Sequence, residues 1–244
     1  MKKYISLSKY PGKTGQHFYN NFFKHYNIDA TYEPRGTDDI DSSIKQARAE
    51  GVDGISISMP FKQSVIQYLD NVDSSVSIYD SCNTIKVENG CYIGYNADIA
   101  GVGYIRTLLS YHDRVTILGT GAIGRMFIRY LESNNFGKLN VCSRSLGNWN
   151  RRLNATDVII NCTALGTSIT DSPFDNFPKD VRLVVDLAIK DNELKNQCEY
   201  NDIKYVSGKE FYQAQFVKQF EIYTGIVVDK EIYKNIERMQ YETI

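Results

Sequence analysis

Three glycines in the middle of the chain have a spacing that suits a ligand held by the backbone. A short buried strand predicted over residues 114–118, mostly apolar from Val115 onward, is followed by Gly119, Gly121 and Gly124, the pattern G-x-G-x-x-G. The first permits a tight turn, the second lets the backbone approach phosphates, and the third lets the next helix pack on the strand. Such a turn points backbone N–H groups and a positive helix end at a pyrophosphate. The spacing alone is also that of an ordinary turn, so a dinucleotide site depends on its surroundings.

The next predicted strand, 139–142, ends in Ser143-Arg144-Ser145. NAD-binding folds place an acidic residue about 20 residues beyond the turn, where it binds the ribose hydroxyls. Here a guanidinium beside two hydroxyls takes that position, and guanidinium groups pair well with phosphate. The charge favours NADP(H) over NAD(H). The alternative is a solvated surface arginine.

Two ionisable residues in the first half of the chain have positions typical of an α/β active site. Residues 54–58 predict a buried strand that leads through Met59-Pro60-Phe61 to Lys62. At the carboxyl edge of a parallel sheet, Lys62 would lie where α/β proteins bind ligands. Asp98 belongs to the polar stretch 94–101, which is bounded by glycines and precedes a predicted helix, as functional loops often do. The alternatives are a surface lysine and a helix-capping aspartate.

The first loop, Pro11-Gly12-Lys13-Thr14-Gly15, resembles the end of a phosphate-binding P-loop. That motif needs a glycine five residues before its second one, and Leu7 stands there, which excludes a nucleoside triphosphatase of this kind. Lys13 and the backbone amides would still suit a carboxylate or phosphate of a substrate. A flexible surface turn with a solvated lysine is the equal alternative.

The elements that must carry these groups alternate between strand and helix, which predicts an α/β fold with a mainly parallel sheet and a Rossmann-type half from about residue 102. A hairpin is predicted around Glu88-Asn89-Gly90. Asn161 and Thr163 follow a strand end and suit cofactor contacts or a helix cap. The remaining strands are predicted at 3–8, 30–35, 158–161 and 183–186. The first helix is predicted to begin after Gly15 and to run to about residue 26, and the others at 39–50, 63–69, 124–131, 210–223 and 229 to about 241.

The composition limits the class of protein. The 244 residues are 42% hydrophobic, and the mean hydropathy of −0.37 is that of an ordinary soluble globular protein. No apolar run approaches the ~18 residues of a membrane span, and MKKYISLSKY lacks a signal-peptide core, so we expect a cytoplasmic protein that does not bind membranes. The net charge of −1 argues against a nucleic-acid surface. Five cysteines without a C-x-x-C pair and three histidines without ligand spacing predict reduced thiols and no metal site.

Together these motifs resemble those of the shikimate dehydrogenase family over nearly the whole chain. The matching segments are Gly54–Lys62 for the strand and loop with the catalytic lysine, Ser81-Cys82-Asn83-Thr84 for Val-Asn-Thr, Gly94-x-Asn96-Ala97-Asp98-x-x-Gly101 for the loop with the catalytic aspartate, Ser143-Arg144-Ser145 for Asn-Arg-Thr, Asn161-Cys162-Thr163 for Asn-x-Thr, and Gln215 with Phe220–Gly225 for the terminal helix.

The resemblance implies NADP(H)-dependent, reversible reduction of 3-dehydroshikimate or a related hydroxylated ring keto acid, with Lys62 and Asp98 as the catalytic pair. It implies a substrate-binding domain over 1–101, completed by C-terminal helices over 208–244, and a Rossmann NADP-binding domain over 102–207. The implied substrate contacts are Lys13, Thr14, Ser58, Asn83 and Gln215. The implied cofactor contacts are Gly119, Gly121, Ala122, Ile123, Gly124, Ser143, Arg144, Ser145, Asn161, Thr163 and Gly208. A monomer or homodimer is expected.

The substrate loop departs from the family pattern. The family binds the shikimate carboxylate with a Ser-x-Ser pair, and Lys13 and Gly15 stand there; Ser56, Ser58 and Ala97 also replace family residues. Losing two hydrogen bonds to a charged group costs about 3–6 kcal/mol without compensation, enough to change the substrate. Two hypotheses therefore stand: an NADP-dependent oxidoreductase for shikimate or a related ring acid, and a non-catalytic or repurposed NADP- or metabolite-binding paralogue.

Overall fold

The computed structural model describes residues 1–165, 172–229 and 232. Its contacts divide the chain into two units: residues 1–97 with 215–244, and residues 98–214. The domain boundaries expected at 101/102 and 207/208 stay predictions. The closing helix predicted from 229 to about 241 falls outside the described residues except at positions 229 and 232.

The first unit is built on a six-stranded sheet of order β2-β1-β3-β5-β6-β4. β1 pairs in parallel with β2 and β3, and β5 is antiparallel to both β3 and β6. The strands are β1 (Lys2–Ser8), β2 (Ala30–Gly36), β3 (Gly54–Ile57), β4 (Asn71–Val72), β5 (Thr84–Glu88) and β6 (Cys91–Tyr95). The β5–β6 hairpin confirms the turn signal, because Asn89 and Gly90 have φ of 52° and 80°, as a type I′ turn requires.

Three α-helices accompany this sheet: α1 (Thr14–His25), α2 (Ile40–Glu50) and α3 (Ser74–Tyr79). α2 begins at a side-chain cap, since the Asp39 carboxylate accepts from the Ser42 N–H, and it ends at left-handed Gly51. The helix expected over 63–69 is wrong: the segment is a 3₁₀ turn, Ser64–Tyr68, in which only Val65 is buried. An amphipathic α-helix needs a longer buried stripe than this segment supplies.

The core of the first unit accounts for many of the chain's 18 tyrosines and 11 phenylalanines. One face of the sheet packs aliphatic residues such as Ile5, Ile55 and Ile85. The other holds an aromatic cluster in which ring centroids lie 4.2–6.4 Å apart, the range of favourable aromatic pairs. Its fully buried members are Tyr4, Phe18, Tyr19, Phe22, Phe23, Tyr32, Phe220 and Tyr223.

The second unit contains a five-stranded sheet of order β11-β10-β9-β7-β8 in which every pair is parallel. The strands are β7 (Val115–Leu118), β8 (Leu139–Cys142), β9 (Val158–Asn161), β10 (Leu183–Asp186) and β11 (Lys204–Ser207). The helices are α4 (Asp98–Arg106), α5 (Ala122–Ser133), α6 (Glu193–Tyr200) and α7 (Gly208–Thr224), and the 214/215 unit boundary falls within α7. The chain reverses its direction of strand addition at β7, and such a switch point is where doubly wound sheets bind ligands.

The predicted α/β fold with two mainly parallel sheets is confirmed. None of the helices in the described residues has the length and apolarity to cross a membrane.

Candidate cofactor and substrate sites

The turn after β7 requires glycine at two positions for steric reasons. Gly119 has a φ of +94°, in the left-handed region that favours glycine. A Cβ on Gly124 would lie 2.2 Å from the Gly119 carbonyl oxygen, so only glycine lets α5 pack this closely on the turn. At Gly121, by contrast, no atom of the described residues other than its chain neighbours lies within 4 Å of an added Cβ, so the backbone is accessible there.

α5 starts directly at this accessible backbone. Its N-cap, Gly121, supplies no side-chain hydrogen bond to the first turn, which opens with Ala122 and Ile123. The first N–H groups of a helix have no partners within the helix, and the helix dipole makes this end positive. The turn therefore has the chemistry to bind an anion such as a pyrophosphate.

A cavity of about 400 Å³ lies at the carboxyl ends of β7, β8 and β9. Its lining brings together four predicted cofactor residues, Gly119, Ser143, Arg144 and Thr163, with Trp149, Ala164 and Leu165. Trp149 was missed by sequence reasoning, although it is the only tryptophan in the chain.

Arg144 is the cationic group of this cavity. It is exposed, and its guanidinium carbon lies 5.6 Å from the Trp149 ring centroid. Among the described residues no carboxylate lies within ion-pair distance of it. Arg152 stacks on the same indole at 5.0 Å. An arginine stacked on an aromatic ring and free of carboxylate partners fits a phosphate group.

Asn161, at the end of β9, organises the loop that lines the cavity. It is fully buried; its Nδ2 donates to the Leu165 carbonyl at 2.7 Å and to Asp186 at 3.0 Å, and its Oδ1 accepts from the Thr163 N–H and hydroxyl. These internal bonds occupy the Asn161 amide, whereas Thr163 itself lines the cavity. Gly208 is not in the lining: a Cβ there would lie 2.3 Å from the Leu187 carbonyl oxygen, which makes glycine a packing requirement.

In the first unit, Lys62 lies after β3, as expected. It is half-buried, and its carbonyl accepts from the Cys82 N–H at 2.7 Å. The Ile57 N–H donates in turn to the Asn83 carbonyl at 2.8 Å, so the loop carrying Lys62 is tied to the segment carrying Asn83. Burial raises the pKa of the Cys82 thiol to about 12, which leaves that neighbour neutral.

Asn83 offers a buried donor. It is 2% exposed, and its Oδ1 accepts from the Ala97 N–H at 2.8 Å and the Thr84 hydroxyl at 2.7 Å. Within the described residues its Nδ2 has no hydrogen-bond partner. A buried amide left unpaired costs about 1–3 kcal/mol, so a substrate hydroxyl that accepts from it would gain correspondingly.

Gln215 is linked to this segment through Gln219, which sequence reasoning missed. The Gln215 Nε2 donates to the Gln219 Oε1 at 3.4 Å, and the Gln219 Nε2 donates to the Asn83 carbonyl and the Thr84 hydroxyl at 2.9 and 2.7 Å. Two glutamines four residues apart share one helix face, and that i, i+4 spacing was the available signal.

Three of the implied substrate contacts are exposed. Lys13 and Thr14 are exposed at the start of α1, and Ser58 is exposed after β3. A Cβ on Gly15 would lie 3.5 Å from the Tyr32 hydroxyl, which donates to Ser56 Oγ at 2.6 Å. Burial raises the pKa of Tyr32 to about 12, so a neutral phenol lies beside the glycine.

Asp98 is the first residue of α4, so the helix begins earlier than the polar loop 94–101 predicts. It is 1% exposed. Burial and the Asp98 carboxylate together raise the pKa of Tyr212, in the same unit, to about 12. Lys62 and Asp98 fall in different units, and their pairing stays a prediction.

Comparison with known proteins places these features in a family context. The family model described as the shikimate dehydrogenase substrate binding domain matches residues 14–85. A shikimate dehydrogenase-like protein of Haemophilus influenzae is 26% identical over 90% of this chain and 89% of its own length. A shikimate dehydrogenase (NADP(+)) of Pyrococcus abyssi is 26% identical over 89% and 90%. In fold, the chain is similar to shikimate 5-dehydrogenase from Thermus thermophilus in complex with NADP(H) and shikimate: the TM-score is 0.84 at 18% identity, covering 98% of this chain and all of that one.

Proposed function

Because the chain belongs to the shikimate dehydrogenase family, we propose that it is an NADP(H)-dependent oxidoreductase that interconverts a ring ketone and a ring alcohol. Its substrate is 3-dehydroshikimate or a related hydroxylated ring keto acid. The observation that carries this proposal is the cavity that joins the glycine turn to Arg144. The relatives named shikimate dehydrogenase (NADP(+)) support the same cofactor.

The residues of the second unit fit NADP(H). The turn at Gly121 and the uncapped start of α5 would hold the pyrophosphate, and Arg144 with Ser143 and Ser145 would hold the 2′-phosphate. The bound nicotinamide supplies or accepts a hydride. Two-electron exchange with the carbonyl carbon also requires one proton at the carbonyl oxygen, and the protein's own side chains must provide it.

Lys62 is assigned the role of proton donor in the reduction. As negative charge develops on the carbonyl oxygen, the Lys62 ammonium donates a hydrogen bond and then its proton to that oxygen, which yields the alcohol. In the reverse direction the neutral amine takes the proton from the hydroxyl. Asp98 is assigned, as the second member of the predicted catalytic pair, to accept a hydrogen bond from the same hydroxyl.

Asn83 and Gln215 are assigned to orient the ring. The Asn83 Nδ2, which has no partner among the described residues, donates to a ring hydroxyl. Its Oδ1 already accepts from the Ala97 N–H and the Thr84 hydroxyl, so the amide cannot rotate freely. Lys13 and Thr14 are assigned to bind the substrate carboxylate. Their ammonium and hydroxyl groups take the place of the two serine hydroxyls that the family uses for this purpose.

The experiment that tests this function is NADPH oxidation, followed by absorbance, with 3-dehydroshikimate and related hydroxylated ring ketones. Turnover with at least one of them is expected. Absence of turnover with all of them, in protein shown to bind NADPH by calorimetry, would contradict the proposal.

The missing serine hydroxyls favour a second candidate, a non-catalytic or repurposed NADP- or metabolite-binding paralogue. Gly15 carries no hydroxyl, and Lys13 and Ser58 are exposed. Calorimetry separates the two functions. Tight NADPH binding with no ring acid bound favours the paralogue, whereas a bound ring acid whose affinity falls in Lys13→Ala favours the oxidoreductase.

A further inference from the structure

Three hydroxyl groups, one of them on a residue that lines the cofactor cavity, lie within hydrogen-bond distance of one another. The Thr120 hydroxyl donates to Ser143 Oγ at 3.1 Å and lies 3.2 Å from Ser145 Oγ, and the two serine oxygens are 2.6 Å apart. Ser143 lines the cavity beside Arg144. Thr120 is the variable residue of Gly119-x-Gly121, and neither the motif nor the resemblance gives its side chain a role.

The positions of these groups are fixed from outside the cluster. The Asn148 Oδ1 accepts from the Ser143 N–H at 2.9 Å, while its Nδ2 donates to the Val141 carbonyl at 2.8 Å. On the other side, Arg125 Nη1 donates to the Thr120 carbonyl at 2.8 Å. The end of β8 and the glycine turn are thus each held by a side chain, and the three hydroxyls are preorganised.

The chemistry of three adjacent hydroxyls distinguishes between two ligands. Each hydroxyl carries one hydrogen, so in a closed cluster each donor is used by a neighbour. A phosphate dianion only accepts, and its oxygens can take all three hydrogens in charge-assisted bonds that are stronger than bonds between neutral hydroxyls. A ribose 2′-hydroxyl is another neutral group and gains no such advantage. The adjacent guanidinium of Arg144 adds to the same preference.

We propose that Thr120 is a specificity-determining residue, whose hydroxyl joins those of Ser143 and Ser145 in a donor triad that selects the 2′-phosphate of NADP(H) over the 2′-hydroxyl of NAD(H). This role rests on the proposed function, since it presupposes a dinucleotide in the cavity. It adds a determinant on the glycine turn itself to the arginine and serines after β8.

The test is the pair of dissociation constants for NADP⁺ and NAD⁺, measured by calorimetry and by the fluorescence of Trp149, the chain's only tryptophan. Thr120→Val keeps the branched shape and removes the hydroxyl. We expect NADP⁺ to bind about tenfold more weakly, the loss of one hydrogen bond to a charged group, and NAD⁺ binding to be unchanged. Thr120→Ser should retain the preference for NADP⁺.

A matched control is Thr107→Val, because Thr107 is exposed in the same unit and its hydroxyl donates to the Tyr104 carbonyl, whereas the Thr120 hydroxyl donates to Ser143, a residue of the cavity lining. It should leave both constants unchanged. If Thr120→Val weakens the binding of both cofactors equally, or changes the binding of neither, the role of Thr120 is overturned. The proposed function is still intact in that case, provided that the wild-type protein prefers NADP⁺. A wild-type protein that binds NADP⁺ no better than NAD⁺ overturns both.

Discussion

At the scale of single residues, the proposed cofactor site and the proposed substrate site depend on different kinds of side chain. Arg144 is exposed, has no carboxylate partner among the described residues and faces a cavity, so its role follows from charge. Asn83 is buried, and its Nδ2 has no hydrogen-bond partner in the part of the chain that the structure describes, so its role follows from an unsatisfied hydrogen bond. Both observations identify groups that a ligand would stabilise, and neither depends on the family resemblance.

Lys62 gives the sharpest prediction at this scale. Lys62→Ala removes the ammonium that protonates the carbonyl oxygen, so turnover should fall by at least the ~10²–10⁴-fold that general acid–base catalysis contributes. NADPH should bind with unchanged affinity, because every cofactor contact assigned above lies in the second unit. Steady-state kinetics and calorimetry on the same preparation check both parts, and undiminished turnover would remove Lys62 from the mechanism.

At the scale of elements, the turn between β7 and α5 contains one glycine that is needed for helix packing and another that is available for ligand binding. A Cβ on Gly124 would clash with the Gly119 carbonyl, whereas a Cβ on Gly121 would meet no atom within 4 Å among the described residues beyond its chain neighbours. The two glycines of one motif therefore have different roles, which substitution by alanine can distinguish.

Gly124→Ala should lower the melting temperature markedly, because its Cβ would lie 2.2 Å from a backbone oxygen that cannot move without distorting the turn. Gly121→Ala is the matched control: its φ of −64° suits alanine, so stability should be retained while NADP⁺ binding weakens as the methyl group obstructs the backbone. Thermal unfolding with and without NADP⁺ checks both variants. The reverse pattern, an unstable Gly121→Ala and a stable Gly124→Ala, would contradict this assignment.

The sequence predicted the elements whose apolar pattern is strong. β9 and β10 were expected at the residues where they occur, because fully buried parallel strands are short apolar runs. β8 was also expected at its residues, although only Cys142 of this strand is buried. α6 and β11 were missed: α6 buries only Leu194 and Cys198, and β11 is four residues with one buried, Val206. Thr120 was missed because its hydroxyl bonds to Ser143 and Ser145, which are distant in sequence. Gln219 had a local signal in its spacing from Gln215, but its bonds to Asn83 and Thr84 could not be predicted from that spacing. Trp149 was missed because no motif or apolar pattern marked its position.

At the scale of the whole molecule, each of the two units carries one half of the proposed chemistry. The first holds Lys62, Asn83 and Gln215, and the second holds the glycine turn and Arg144.

The stability of the second unit also depends on ion pairs. Arg114, which precedes β7, donates from Nε and Nη2 to the two oxygens of Asp157 at 3.0 and 2.8 Å, and from Nη2 to Asp180 at 2.9 Å.

These contacts predict a pH dependence. The Arg114 guanidinium lowers the pKa of Asp157 from 3.8 to about 2. Because the folded pKa is lowered, the stabilisation is fully present above the unfolded pKa and is lost as pH falls from about 4 towards 2. Asp157→Asn should therefore destabilise the protein at neutral pH, and this difference should shrink as pH falls below about 4 and become small near pH 2. Urea unfolding of both proteins across this range checks it; a difference that grows in acid would contradict the linkage.

The most direct measurement of the central claim is hydride transfer itself. The protein is incubated with NADPH carrying deuterium at both C4 positions of the nicotinamide and with a panel of hydroxylated ring keto acids that includes 3-dehydroshikimate, and the products are analysed by mass spectrometry. We predict an alcohol that carries one deuterium on the former carbonyl carbon. Protein that binds NADPH and transfers deuterium to none of these ketones would contradict the account.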